Sequence, residues 1–245
     1  MNHTCYKSRL DSGGSEEAAS NRLFREWSAY ERVVRNDYMH HRDFFAALAS
    51  EVESRLNGPL WLVDLGCGDC RPVMSLLERF DIGSYVGIDE SETALAGARL
   101  RLAKMPCPSE LRCGSIIEEL RRIQGRHNLA LASYSLHHLS RKQKQEVLEH
   151  CRRLLRPDGM LAIVDIFLED KELPERYIER WVDHARRTFS ALSAEEMQAL
   201  LAHVYCNDIP ETASAYRRLG KAAGFERVTT LLQDRKRLNR LVVMY

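Results

Sequence analysis

The residues with the clearest chemical pattern lie in the stretch LVDLGCGDC, residues 62–70. An apolar run ends at Asp64, and the chain then passes through Gly66 and Gly68, which let a backbone bend and approach a ligand closely. Loops of this type hold nucleotide-like ligands at the carboxyl edge of a parallel sheet. The next apolar run ends at Asp89, where a carboxylate is suited to accepting both hydroxyls of a ribose.

The glycine spacing discriminates between three ligand classes. A dinucleotide-binding loop needs a third glycine, but the candidate positions hold Cys70 and Arg71. A phosphate-binding P-loop ends in Gly-Lys-Ser/Thr, which this stretch lacks. A sulfonium-bearing amino acid combines a carboxylate, favoured by a helix that starts near Cys70, with positive charge, favoured by Asp64 and Asp69. The loop therefore favours S-adenosylmethionine (SAM) over NAD or a nucleoside triphosphate.

The elements that must position these residues alternate between strands and helices after Pro59. Short apolar runs predict strands over 60–65, 84–89, 110–114, 128–133 and 160–167. Helices are predicted to begin near Cys70, Ser91, Ser115 and Ser140, and RPDG (156–159) predicts a turn before the fifth strand. This alternation is typical of a parallel sheet with helices on both faces.

Helical patterns flank the alternating region. Steps of three and four from Leu23 predict two N-terminal helices that meet near residue 37, with Asn36-Asp37 as a cap. Residues 168–212 are helical, charged and too long for a plain crossover. A helix over 213–223 and strands near 226–232 and 238–245 complete the pattern.

The overall composition is that of an ordinary globular protein, with 245 residues, 44% of them hydrophobic. A formal net charge of +1 does not favour nucleic acid as a partner. The chain has no apolar run of membrane-spanning length, and its first residues lack the apolar core of a signal peptide. Seven scattered cysteines predict free thiols in a reducing compartment. We therefore expect a cytoplasmic monomer or homodimer without a membrane partner.

Taken in order, five motifs resemble those of the class I SAM-dependent methyltransferase family, of the small-molecule type. They are LVDLGCGDC, YVGIDES, CGSIIEEL, LALASYSLHHL and LRPDGMLAIVDIF. The resemblance implies an α/β fold, a Rossmann-like doubly wound sheet of seven strands in the order 3-2-1-4-5-7-6, with the last strand antiparallel. It also implies that residues 1–57 form a disordered leader and N-terminal helices over the cofactor. Residues 58–245 would form the methyltransferase domain, with a helical substrate lid at about 168–212.

The resemblance also implies a set of cofactor contacts. The methionine half of SAM, its ribose, its adenine and its carboxylate would be bound by Tyr38, Arg42, Asp64, Gly66, Cys67, Gly68, Asp89, Glu90, Ser115, Ile116 and Ser133. Two positions depart from the family pattern. Cys70 replaces the usual third glycine, and Ser115 replaces a common Asp, so the adenine contact depends on how the chain is arranged there.

Catalytic and substrate residues are expected at the ligand edge and in the insertion. His137 and His138 follow the fourth strand, where an imidazole can act as a general base or simply pack the junction, and His138 is the preferred base of the two. Asp165, near the end of the fifth strand, is either a second base or a polar strand end. The expected substrate contacts are Trp181, His184, Arg187, Tyr205, Asp208 and Glu211. No metal is expected at the Cys67–Cys70 pair, because the sequence has no second pair at zinc spacing.

These patterns predict a SAM-dependent methyltransferase (EC 2.1.1.-) that transfers a methyl group to an O, N, S or C nucleophile of a small molecule, with S-adenosyl-L-homocysteine as product. Two alternatives stay open. One is an RNA methyltransferase, although SYSL stands where exocyclic-amine enzymes of that kind carry Asn/Asp-Pro-Pro-Tyr. The other is a SAM-binding regulatory module without catalysis. The sequence identifies neither the substrate nor the acceptor atom.

Overall fold

The computed structural model describes residues 29–245. They group into two compact units. The sheet unit comprises residues 40–174 and 209–245, and the helical unit comprises residues 29–39 and 175–208. The predicted leader and the beginning of the first N-terminal helix lie outside the described residues.

The sheet unit has the predicted strand order. Its strands are β1 (Leu60–Leu65), β2 (Ile82–Asp89), β3 (Ser109–Cys113), β4 (His127–Ser133), β5 (Leu155–Leu168), β6 (Glu211–Thr212), β7 (Val228–Gln233) and β8 (Asn239–Met244). Seven of them follow the path β3-β2-β1-β4-β5-β8-β7, and the two-residue β6 pairs with β5 off this path. Strands β1 to β5 are parallel, whereas β8 is antiparallel to both neighbours. With β6 left out of the numbering, this is the order 3-2-1-4-5-7-6, so the fold prediction is confirmed.

The helices begin largely where their capping residues predict. They are α1 (helical over the described residues 29–35), α2 (His41–Arg55), α3 (Met74–Leu77), α4 (Glu92–Leu102), α5 (Ile116–Arg122), α6 (Arg141–Leu154), α7 (Pro174–Thr188), α8 (Ala194–Asn207) and α9 (Ala213–Ala222). Ser91 caps α4, and Ser140 caps α6 through a reciprocal box with Gln143. Ser115 occupies the cap position of α5 without a side-chain hydrogen bond to that helix.

Three boundaries differ from the sequence prediction. No helix starts at Cys70, because this residue has φ 61, outside the right-handed helical region, and α3 covers only Met74–Leu77. Asn36-Asp37 does not cap the second helix, which instead follows His40 at φ 59. The RPDG segment lies within β5, where the pairing with β4 moves from Leu155 to Met160 while β4 advances only two residues. The turn residues are therefore accommodated as an irregularity in the strand.

Both faces of the central strands are buried, which is why these strands are nearly continuous apolar runs. Val63 and Leu65 of β1 belong to a core that α5, α6 and α9 cover on one face. Side chains alternate along a strand, so Leu62 and Asp64 point to the opposite face. The apolar pattern thus fixes which side of the sheet carries the acid at the end of β1.

The helical unit is built from α1, α7 and α8. Arg32 of α1 forms an ion pair with Glu196 of α8, with Nε and Oε1 2.8 Å apart. The Tyr38 ring stacks on Phe189 with 4.5 Å between centroids, and Ala191 N donates to the Tyr38 hydroxyl. Among the described residues, the helices are too short or too polar to cross a membrane.

Candidate functional site

The glycine loop after β1 is fastened to the end of β2. The amides of Gly66 and Cys67 both donate to Ile88 O, at 2.8 and 2.9 Å. The amide of Gly68 donates to Asp89 Oδ2 at 2.8 Å, and Ser91 N donates to Asp89 Oδ1 at 2.9 Å. The two candidate ligand-binding features of the sequence, the loop and Asp89, therefore form one structure at the carboxyl edge of the sheet.

Gly66 is required for both conformation and space. Its φ is +74, and a Cβ built there would lie 2.4 Å from the Cβ of Ser135. Ser135 cannot easily move, because its hydroxyl donates to Leu65 O at 2.6 Å. We expect Gly66→Ala to reduce the free energy of unfolding by about 2–4 kcal/mol, from left-handed strain plus steric overlap. Urea denaturation measures this loss.

Gly58 provides the matched control for this prediction. It has φ +75, yet an added Cβ would meet no atom within 4 Å. Gly58→Ala should therefore cost only the left-handed backbone strain, about 1–2 kcal/mol. Equal losses in the two variants would show that crowding against Ser135 does not restrict the loop.

Asp64 is a buried acid at the end of β1, and one of its two oxygens lacks a hydrogen-bond partner among the described residues. It is 2% exposed, and its Oδ2 accepts a hydrogen bond from the Tyr85 hydroxyl at 2.8 Å. Within residues 29–245, neither Asp64 Oδ1 nor the buried Ser133 Oγ has a hydrogen-bond partner. Both residues lie at the carboxyl ends of neighbouring strands, β1 and β4. Buried polar atoms normally have partners, so these two atoms point to a ligand that supplies them.

Burial raises the pKa of Asp64 to about 7. The Tyr85 hydrogen bond opposes this shift, and the nearby Asp89 carboxylate adds to it. Burial also raises the pKa of Asp89, against the lowering effect of the Ser91 and Gly68 amides. Two acids whose charged forms are disfavoured at the same edge make it receptive to a cation.

Asp69, expected to attract a cationic ligand, has a different partner. Its carboxylate forms an ion pair with Arg101 of α4 at 2.8 Å and lies 3.5 Å from Arg71. Arg101 also donates to the backbone carbonyl of Asp69 at 3.0 Å. Asp69 therefore ties the glycine loop to α4, and the sequence could not show this because Arg101 lies far along the chain.

The two loop cysteines are packed inside the site. Cys67 and Cys70 are both buried, and Cys70 Sγ lies 3.1 Å from the Tyr85 hydroxyl. The hydrogen bond with Cys70 is the largest cause that raises the pKa of Cys67, followed by burial and the nearby Asp64. Cys67 is therefore a neutral thiol, and Tyr85 links Cys70 to Asp64.

His137 and Asp165 form a hydrogen-bonded pair at the ends of β4 and β5. His137 Nδ1 lies 2.5 Å from Asp165 Oδ1, and the His137 amide donates to Asp165 Oδ2 at 3.1 Å. Ile166 N also donates to Asp165 Oδ1, at 2.8 Å. Asp165 is 1% exposed and His137 8% exposed, whereas His138 lies exposed beside it, with ring centroids 4.0 Å apart. The carboxylate orients the imidazole, an arrangement typical of a general base.

The residues predicted near the adenosine lie on the neighbouring elements. Glu90 follows Asp89 and is exposed, and Ser115 and Ile116 are half-buried at the start of α5. Ile116 packs against the apolar core beneath this edge. These residues extend the carboxyl edge from β1 towards β3, where the resemblance places the adenine.

Several predicted contacts belong to the helical unit. Trp181 and His184 of α7 both pack edge-on against Phe189, at 5.7 and 6.1 Å, and Tyr38 stacks on the same ring. The structure thus brings a predicted cofactor contact and two predicted substrate contacts together around Phe189. The remaining predicted contacts of this unit are Arg187, which pairs with Asp183, the exposed Tyr205 and the half-buried Asp208.

Two other predicted contacts lie in the sheet unit. Arg42 is exposed in the first turn of α2. Glu211 is buried and receives two hydrogen bonds from Arg141, each 2.8 Å long. This bidentate pair ties β6 to the start of α6.

Sequence reasoning missed three residues that shape these clusters. Tyr85 was detectable as a hydroxyl in an otherwise apolar strand, and it binds Asp64. Tyr134, directly after β4, has φ 52 and a buried ring 4.8 Å from that of His41. Phe189 carried no signal in the sequence, because its role depends on which rings the helices bring to it.

The comparisons with known proteins agree with this geometry. Residues 62–159 match the family model described as a methyltransferase domain. A trans-aconitate 2-methyltransferase of Acidovorax sp. (strain JS42) is 48% identical over 48 residues, which are 20% of this chain and 19% of that protein. An uncharacterised methyltransferase of Synechocystis sp. (strain ATCC 27184 / PCC 6803 / Kazusa) is 28% identical over 105 residues, 43% of this chain and 46% of that protein. The chain thus spans about a fifth and about half of the length of these relatives.

A solved structure extends the likeness of fold to nearly the whole chain. The plantazolicin methyltransferase BamL, in complex with a triazolic desmethylPZN analogue and SAH, superposes with a TM-score of 0.62 at 15% identity. The superposition covers 92% of this chain and 90% of that one. Residues 62–159 thus match a methyltransferase domain, and the sheet order and the superposition show that the chain has the Rossmann-like fold of that solved methyltransferase.

Proposed function

We propose that this protein is a SAM-dependent methyltransferase that acts on a small molecule. One observation carries the proposal. The carboxyl edge of the sheet combines a ligand-binding loop fastened to Asp89 with an oriented base, the pair His137–Asp165. The first feature suits a nucleoside cofactor, and the second suits removal of a proton from an acceptor.

The donor set at this edge fits SAM. Asp64 Oδ1, which has no partner within residues 29–245, can accept from the ammonium group, and the acid suits the adjacent positive charge of the sulfonium. Ser133 Oγ offers a further polar contact to the methionine half. Asp89 would hold the ribose, and Ser115 and Ile116 would flank the adenine. When bound, SAM supplies a methyl group on a sulfonium, which is already an activated leaving group.

The chain's own contribution to catalysis is alignment, exclusion of water and control of one proton. Asp165 holds His137 Nδ1, so the nitrogen that accepts a proton from the substrate nucleophile is Nε2. The buried Asp165 also stabilises the imidazolium that forms. An O–H, N–H or S–H acceptor, or an acidic C–H, would need this base.

The helical unit is the proposed source of substrate contacts. Its aromatic cluster of Tyr38, Trp181, His184 and Phe189 presents apolar and polar groups together, which suits an organic acceptor. The overall charge of +1 favours a small molecule over RNA. Six free thiols in the described part of the chain suit the reducing cytoplasm, where we propose that the enzyme works.

Methyl transfer from labelled SAM tests the proposal. The full chain would be incubated with a small-molecule extract, total RNA and a protein extract in separate reactions, and the Asp89→Ala variant would serve as control. We expect label only in small molecules and only with the unaltered chain. Label in RNA would favour the RNA methyltransferase, and tight binding of SAM without transfer to any pool would favour a regulatory module.

Asp64 predicts a pH dependence of cofactor binding. Its pKa of about 7 means that the ligand-free site holds a proton below this pH. A cation bound beside Asp64 favours the carboxylate, so binding at lower pH must release that proton. We therefore expect the affinity for SAM to rise as the pH increases towards 7 and to level off above it. Calorimetry in buffers of different ionisation enthalpy measures both the affinity and the protons released.

Asp64→Asn is the control for this titration. The variant keeps the shape of the side chain but has no proton to release, so the rise in affinity that ends near pH 7 should disappear. Stability of the ligand-free protein should follow the opposite course. Because the folded pKa is raised above the ordinary value of about 4, the contribution of Asp64 to stability falls as pH rises from about 4 to 7. If the affinity for SAM depended on pH in the same way in both proteins, Asp64 would not be a contact of the cofactor.

A further inference from the structure

A second concave region lies at the opposite edge of the sheet from the glycine loop. It is a cavity of about 500 Å³. Its lining includes Trp61, Ser84, Ser109 and His127, which are at or near the first residues of β1 to β4. Because these strands are parallel, the cavity lies at their amino-terminal ends, away from Asp64. A volume of this size is within the range of small-molecule sites, roughly 300–1,000 Å³.

Two arginines give this cavity a positive charge. Arg126 and Arg156 line it, and in the described part of the chain neither forms an ion pair with a carboxylate. The one acid in the lining, Glu110, is engaged by Arg112 at 2.8 Å. Guanidinium groups match the geometry of an oxyanion, so two of them at one cavity favour an anionic ligand.

Arg156 lies over the indole ring of Trp61, which forms one wall of the cavity. Its guanidinium carbon lies 5.6 Å from the centroid of the Trp61 ring, a cation–π distance. The indole lies against the backbone of Gly83, where an added Cβ would be 2.8 Å from Cε2. Trp61 is nevertheless 38% exposed, which is unusual for a large aromatic ring in a central strand. A side chain at residue 83 would displace this wall.

His127 adds a buried polar group to the same lining. It is 5% exposed, and burial is the largest cause of its lowered pKa. The ring lies beside the backbone of Gln124 and Trp61, yet neither ring nitrogen makes a well-aligned hydrogen bond with any residue between 29 and 245. A neutral imidazole has one N–H to donate, so this group also suits an acceptor oxygen.

We propose that this cavity binds the phosphate of a small phosphate monoester. The guanidinium groups of Arg126 and Arg156 and the imidazole of His127 would hold the phosphate, and the wall formed by Val86 and Pro108 would face the organic part. A phosphate monoester carries a charge of about −1.5 to −2 at neutral pH, which matches two guanidinium groups better than a monocarboxylate does. The cavity lies at the other ends of the strands from the proposed methyl-transfer edge, so its binding can be measured without methyl transfer.

Calorimetric titration of the full chain with phenyl phosphate tests this inference, with inorganic phosphate, benzoate and phenol as further probes. We expect phenyl phosphate to bind most tightly, and Arg126→Gln and Arg156→Gln each to weaken it at least about tenfold, because each removes charge-assisted hydrogen bonds. Arg218→Gln, an exposed arginine on α9, is the matched control and should leave the affinity unchanged. Thermal unfolding of each variant shows whether it is folded.

The other results would overturn the inference. Equal affinity for phenyl phosphate and inorganic phosphate would indicate an adventitious ion only, and tighter binding of benzoate would contradict the preference for phosphate. Unchanged affinity in folded Arg126→Gln and Arg156→Gln variants would place the probe elsewhere. Displacement of the probe by saturating S-adenosylhomocysteine would place it at the cofactor edge, whereas independence of the two ligands supports a separate site.

Discussion

Replacing Asp165 with Asn should lower kcat for methyl transfer by about 10²–10⁴-fold while the affinity for SAM stays nearly constant. One oxygen of the Asp165 carboxylate is hydrogen-bonded to His137 Nδ1, and the other accepts a hydrogen bond from the His137 amide. The Asn variant has no carboxylate to stabilise the imidazolium, and an NH₂ group placed opposite Nδ1 would hold the ring proton on Nε2, the wrong nitrogen for a base. The measurement is single-turnover transfer of labelled methyl to the acceptor, with calorimetry for SAM.

Two histidine variants serve as comparison and control. His137→Gln should lose activity to the same extent, because it removes the base itself. His138→Gln alters the exposed neighbour and should change the rate by no more than about twofold, as is usual for a surface substitution. The reverse result, with activity lost in His138→Gln and kept in His137→Gln, would indicate that the exposed His138 is the base. Equal rates in all variants would show that the acceptor needs no base.

Asp89→Ala is expected to weaken the binding of SAM and S-adenosylhomocysteine at least about 100-fold, since hydrogen bonds to a charged group contribute about 1.5–3 kcal/mol each. Its carboxylate holds the Gly68 and Ser91 amides and is the proposed acceptor for the ribose. The variant therefore loses both the ligand contact and the anchor of the loop. Calorimetry with both ligands measures the affinity.

Asp81→Ala is the matched control for this loss. Asp81 is an exposed acid immediately before β2, at the other end of the strand from Asp89. Its removal should leave the affinity within about twofold of the unaltered chain. An Asp89→Ala protein that binds SAM normally would mean that the loop after β1 does not hold the cofactor.

The sequence by itself determined the architecture. Strand–helix alternation after Pro59 predicts a parallel sheet, and the apolar runs locate its first five strands to within a few residues. Local chemistry also placed the caps at Ser91 and Ser140. These features depend on interactions between residues close in the chain, so a one-dimensional pattern contains them.

The part of the candidate site that could be predicted also depends on features that are local in the sequence. Asp64 and Asp89 each end an apolar run, and parallel strands end at a common edge, so the sequence predicts their proximity. The prediction of a helix starting near Cys70 was wrong. The backbone at this residue is left-handed, which a cysteine in the sequence does not indicate. The start of α2 was missed for the same reason at His40.

Only the tertiary structure decided which polar groups became partners. The sequence treats Asp165 and His137 as separate candidates, and the fold joins them across two strands. It also pairs Asp69 with Arg101 and Glu211 with Arg141, although the sequence pattern treats both acids as ligand contacts. Such pairings depend on the register of strands and the direction of side chains, and a small displacement of either separates the atoms beyond hydrogen-bonding distance. The sequence therefore located the candidate ligand-binding edge, and the folded chain determined which of its polar side chains are hydrogen-bonded to one another.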